Sequence, residues 1–191
     1  SQYWNEDEFS PFDNDYRRQT VSRALIASTE ILAREVARDL ANDVERRDRL
    51  MPCVPEGPGD SDCLRQFIES FGRRAFRRPL DAAEVDAYLT LQSFAVADAP
   101  AVDNDFYTAV ALVISAMLQD PEFLYRIEVG TEGDIAGVRD LTDWEIASRL
   151  AFLLWATTPD DALLEDAEAS RLSSSAGRRT AAERMCCLLY T

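Results

Sequence analysis

Arg73, Arg74, Arg77 and Arg78, within the stretch GRRAFRRP, are the densest chemical signal in the chain. At i, i+1, i+4 and i+5 they are expected to share one side of a helix end. Guanidinium forks so placed can hold a phosphate, a carboxylate or an acidic sugar in bidentate fashion. The same residues also suit a purely structural role, because a helix C-terminus favours cations and acids are abundant to pair with them. A second cluster, Asp160, Asp161, Glu165 and Asp166, contains carboxylates close enough in sequence to supply the acid and base of a glycosidase. First-turn capping explains that cluster equally well. Glu6, Asp7, Glu8, Asp13 and Asp15 suggest a cation, but the spaced acids, glycine and final glutamate of a calcium hand are missing. Tyr3, Trp4 and Phe9 read as a docking arm, and Trp144 and Trp155 as core.

Composition removes many alternatives. The 191 residues contain no histidine, and all 20 basic residues are arginine. Histidine-dependent triads, histidine-ligated zinc, CxxCH haem attachment and lysine chemistry are therefore excluded within this chain. No metal site is expected. A formal charge of −15 argues against nucleic-acid binding and against adhesion to anionic membranes. No stretch reads as a signal peptide or a transmembrane run.

The cysteines fall into two pairs. Cys53 and Cys63 bracket PCVPEGPGDSDC, a proline- and glycine-rich crossing between helices. A disulfide there would contribute roughly 2–3 kcal/mol by chain entropy and imply an oxidising compartment. The alternative is two thiols at helix ends. Cys186 and Cys187 are adjacent, and neighbours rarely bond each other.

The elements that must position these groups are helices. Residues 1–16 read as an extended acidic and aromatic arm, and residues 17–191 as a helical domain with a sub-boundary near 98–102. A long helix is expected from about Arg17 to Leu50, with Val21, Leu25, Leu32, Val36, Leu40 and Val44 on its apolar stripe. The next, from Leu64, should end at Arg78, before Pro79. Asp81 with Glu84, and Thr142 with Glu145, form capping boxes. That match reflects shared helix-start chemistry more simply than duplication. Asp103–Gln119 is apolar on most of its circumference and should be the central helix. A short turn follows over Glu122–Glu128. A helix then runs from Asp143 to near Thr157, and another is capped by Thr158 with Pro159 in its first position. A last helix is expected through Arg184. The fold class is all-α, a bundle of about six to seven helices, incomplete at its C-terminal end.

Three ordered stretches carry a resemblance: GRRAFRRPL with DAAEVDAYL, then DPEFLYRIE, then DLTDWEIASRLAFLLWATTPDDAL. Together they resemble the α-helical domains of unknown function that accompany planctomycete-type cytochrome c modules in large exported bacterial proteins. The cysteine pair upstream of the arginine motif fits the same family. The resemblance implies an extracytoplasmic, multidomain parent whose other domains are this chain's partners. It implies no catalytic residue, and any haem belongs to segments outside this chain. Members continue their last helix after Arg184-Met185, whereas this chain reads Cys186-Cys187-Leu188-Leu189-Tyr190-Thr191, as a truncation or frameshift would. The resulting expectation is a non-catalytic scaffolding module. The alternatives are an anionic-ligand or polysaccharide-binding module using the Arg73–Arg78 face, and a fragment of a carbohydrate-active enzyme.

Overall fold

The computed structural model describes residues 23–96, 105–133 and 137–188. The acidic arm, its cation and docking readings, and the 98–102 boundary lie outside these residues. Helices α1 (Arg23–Asn42), α2 (Val44–Leu50), α3 (Ser61–Ala75), α4 (Ala82–Leu89), α5 (Gln92–Val96), α6 (Phe106–Gln119) and α7 (Pro121–Leu124) come first. The strands β1 (Thr131–Glu132) and β2 (Arg139–Asp140) follow, then α8 (Asp143–Trp155), α9 (Asp161–Glu168) and α10 (Ser175–Leu188). The fold is all-α apart from this two-residue antiparallel ladder. No helix among the described residues is long and apolar enough to cross a membrane.

Helix α6 is central, as its composition requires. Phe106, Ala109, Val110, Val113, Ile114 and Met117 are all buried along it. Against it lie α1, α3 and α5, which contribute Ala37, Leu64, Phe67, Ile68 and Ala95 to the same core. Helices α5 and α6 contribute to that same core.

Over its described residues, 23–50, the helix expected from Arg17 to Leu50 is two helices. Asp43 breaks it, because its carboxylate accepts the Arg46 N–H at 3.1 Å and starts α2. The buried face of α1 also differs from the expected stripe. Ala33 and Ala37 are buried, whereas Leu32 is 62% exposed and Leu25 and Val36 are also exposed. Small side chains let the α1 and α6 backbones approach closely, so the alanine row wins the contact over the bulkier one. These breaks also give the chain more separate helical segments than the six to seven expected.

A second core is built by α8, α9, α10 and the turn between the last two, from Ala147, Ala151, Leu163, Leu172, Ala181 and Met185. Trp144 and Trp155 pack on it, and the Trp155 indole N–H donates to the Met185 carbonyl at 3.1 Å. Helix α9 is capped by Asp160 rather than Thr158, with Pro159 left outside. The Asp160 carboxylate reaches the Leu163 N–H at 2.8 Å, a bond the expected threonine cap does not make. Both capping boxes form as expected, Asp81–Glu84 on α4 and Thr142–Glu145 on α8.

Cys53 and Cys63 are bonded, with Cα atoms 5.8 Å apart. The bridge fixes the entry to α3, where Asp60 caps the helix through the Cys63 N–H at 3.0 Å. Cys186 and Cys187 are free and exposed on α10, which runs through Leu188.

Candidate functional site

The arginine motif does not form one helical face. Helix α3 ends at Ala75, and the Phe76 N–H closes it onto the Gly72 carbonyl at 2.8 Å. Arg73 and Arg74 occupy its last turn, whereas Arg77 and Arg78 lie beyond it. Arg77 adopts the left-handed region at φ 60°, which turns the chain back on itself. Leu80 then crosses α3 over Gly72, where an added Cβ would lie only 2.5 Å from a Leu80 methyl. The expected extension to Arg78 thus fails because the helix must end three residues sooner, at Ala75, for the chain to fold back.

Arg77 is 6% exposed. Its fork donates to the carbonyls of Ala75 at 3.1 Å, Phe123 at 3.4 Å and Tyr125 at 2.9 Å, and also to that of Glu122. These last acceptors close the C-terminal end of α7. Burial pulls the Arg77 pKa down and the charge of Glu122 opposes that pull, but a guanidinium keeps its proton.

Arg78 meets both oxygens of Glu84, at 2.7 and 2.9 Å, and lies 3.2 Å from Glu122. Its bonds to Glu84 raise its pKa, and the same bonds hold Glu84 below the usual carboxylate range. Beside them the Tyr88 hydroxyl donates to Asp120 at 3.1 Å, while Asp120 also caps α7 through the Glu122 N–H. Burial, then the Asp120 charge, push the Tyr88 phenol up. The first and second sequence motifs are therefore interlocked side chain to backbone.

Arg73 and Arg74 point the other way. Arg74 grips Asp161 on α9 with two bonds of 2.9 and 2.7 Å. Arg73 reaches Glu168 at 2.9 Å and lies 5.8 Å from the Trp144 ring centroid. The acidic cluster is similarly occupied. Asp166 binds Arg171 at 2.7 Å and Arg184 at 3.0 Å, and Asp160 lies 3.5 Å from Arg184. Asp160 and Asp166 thus flank a guanidinium, the arrangement of an ion-pair network rather than of an acid–base pair. Glu165 is exposed. Among the described residues, no three acidic or thiol side chains gather to hold a metal ion.

Glu145 ties the third motif to the residues just after the second. Beyond its capping box it accepts the N–H groups of Val129 at 2.6 Å and Gly130 at 2.9 Å. Burial raises its pKa, but the N–H donors of Gly130, Thr142 and Val129 outweigh that and leave it lowered. Gly130 stands at φ 61°, and an added Cβ would lie 2.7 Å from the Asp140 carbonyl oxygen, so the turn needs glycine. Nearby, Arg149 pairs with Glu128 at 3.0 Å. The joint residues Tyr88, Asp120, Glu122 and Glu128 carried no readable signal beyond helix capping, because their partners lie far along the chain, whereas Glu84, read only as a capping residue, meets Arg78 from six residues away.

A helical protein with two apolar cores, whose recognisable motifs form its internal joints, is the class this geometry defines. Residues 63–128 match the family PSD5, a protein of unknown function (DUF1595), and residues 141–187 match PSD4, a protein of unknown function (DUF1592). These two stretches match domains of unknown function typical of planctomycete cytochrome c–associated proteins. The division between the matches falls where the two cores divide. No curated protein and no solved structure matches the chain.

Proposed function

We infer that this chain is a non-catalytic structural module of an exported multidomain protein whose other segments carry haem. The observation that carries the reading is the use of the motif residues. Arg73, Arg74, Arg77 and Arg78 all bind acids or carbonyls of the same chain, and Asp160, Asp161 and Asp166 are paired with its arginines. Groups that hold a fold together in this way are poorly placed to bind a ligand as well. The Cys53–Cys63 bridge suits an oxidising compartment. With no histidine, the chain's own residues do not fit a CxxCH-attached haem, so on this reading that cofactor belongs to other parts of the parent.

The test is calorimetric titration of the purified chain with sulfated and uronic-acid oligosaccharides and with inorganic phosphate, at low salt. The reading expects no saturable heat and no release of reducing ends. Saturable heat abolished by Arg74→Ala would replace it with anion binding, and released reducing ends with a carbohydrate-active enzyme. Fractionation of cells making the full parent should find it outside the cytoplasm, and cytoplasmic retention would overturn the exported placement.

A further inference from the structure

The two apolar cores share no buried residue: the packing of one ends with Phe123 and that of the other begins with Trp144. Ion pairs tie α3 to α9. Arg74 and Asp161 pair at 2.7 Å with both side chains 57% exposed, and Arg73 and Glu168 pair at 2.9 Å. The one aromatic addition is Arg73 over Trp144. Exposed pairs of this kind each shift an equilibrium only about two- to fivefold, and salt screens them.

Along the chain, the ties change sides at one peptide link. Arg77 holds the carbonyls of Glu122, Phe123 and Tyr125 to the end of α3. Immediately afterwards Arg126 lies 4.9 Å from the Phe152 ring on α8. Glu128 is then tied to Arg149, and Val129 and Gly130 are tied to Glu145, all on α8. The Arg139 guanidinium also bonds the Gly130 carbonyl at 2.9 Å, so the hairpin travels with α8. Tyr125 itself is extended, at φ −116° and ψ 153°. Residues up to Tyr125 are fastened to the first core, and those from Arg126 onward to the second.

We propose that α1–α7 and α8–α10 are two bodies hinged at Tyr125–Arg126, with the α3–α9 ion pairs as a salt-labile latch. Opening the latch separates Arg73 and Arg74 from Glu168 and Asp161 and bares one face of Trp144. Neither core is disrupted, because the two clusters share no buried residue. Leu164, fully buried and part of neither, lies on the α9 face that carries Asp161 and Glu168 and is uncovered with them. The hinge goes beyond the structural-module reading and is tested on this chain alone, whatever its parent carries.

Spin labels at Glu69→Cys on α3 and Glu165→Cys on α9 report the separation of the two bodies. Cys186→Ser and Cys187→Ser remove the exposed thiols, and the Cys53–Cys63 bridge is left oxidised. Pulsed electron resonance should give one short, narrow distance at about 0.05 M NaCl and a longer, broader distribution at about 1 M, where the Debye length is about 3 Å. Arg74→Glu should raise the open fraction severalfold at low salt, and adding Asp161→Arg should restore the short distance. Circular dichroism should show unchanged helicity throughout. A single distance indifferent to salt would overturn the hinge, as would a charge exchange that fails to restore closure. If Arg74→Glu loses helicity, the salt series on the otherwise unchanged chain decides the matter alone.

Discussion

The Arg77 guanidinium donates to the Tyr125 carbonyl at 2.9 Å across 48 residues of sequence. The bond joins the end of α3 to the end of α7 and lets a charged side chain be buried beside main-chain acceptors. Removing the fork leaves the carbonyls of Glu122, Phe123 and Tyr125 short of a donor. Arg77→Ala should therefore cost about 3–5 kcal/mol, the range for breaking a buried charged partnership. Arg77→Gly should cost less than Arg77→Ala by about 1 kcal/mol, because glycine enters the left-handed region without the Cβ penalty. Paired urea melts decide both: equal losses for the two variants would rule out backbone strain as a contributor at φ 60°.

Ile114 is 1% exposed at the middle of α6. Ile114→Ala should lower stability by about 2–5 kcal/mol, combining lost transfer energy with a residual cavity. A loss below about 1 kcal/mol would mean that the surrounding helices collapse into the space.

The helical class and the place of α6 were legible because both follow from local periodicity. The two capping boxes and the bridged cysteine loop were legible for the same reason, since each lies within about ten residues of sequence. Burial of at least one of the four arginines is what energetics favours, since exposed ion pairs contribute only about 0–1 kcal/mol each, too little to explain the cluster. The partners did not follow. Nothing local tells Arg74 that Asp161 will stand beside it, or Arg77 that α7 will end at its fork. The orientation of α1 was misread because periodicity ranks side chains by hydrophobicity. Packing on α6 selected Ala33 and Ala37 for their size instead.

Reduction of Cys53–Cys63, or Cys53→Ser with Cys63→Ser, should cost about 2–3 kcal/mol through the freed loop of the unfolded chain. The double variant should keep the far-ultraviolet spectrum of the parent, since Asp60 still caps α3. Guanidinium melts with and without reductant measure the difference. A chain equally stable in both states would show that the bridge only decorates a loop already fixed by its caps.

Acid should unfold this protein before mild base does. In the folded chain Glu84 is held below its ordinary value of 4.5 chiefly by Arg78. Glu145 is also lowered, because backbone N–H donors outweigh its desolvation. Both depressions give stability that is complete above the unfolded carboxylate value and lost as pH falls through the lower folded values, where the unfolded chain binds more protons. Tyr88 acts at the other end: its phenol is raised above 10.0 by burial and then by Asp120. Its contribution is complete below 10.0 and disappears as pH rises through the folded value. Urea midpoints between about pH 3 and about pH 11 should therefore form a plateau with a fall at each end. Glu84→Gln should lower the plateau and flatten the acid limb, and Tyr88→Phe should flatten the alkaline limb while leaving the acid one in place. An acid limb equally steep in Glu84→Gln would show that the Arg78–Glu84 pair does not govern the acid response.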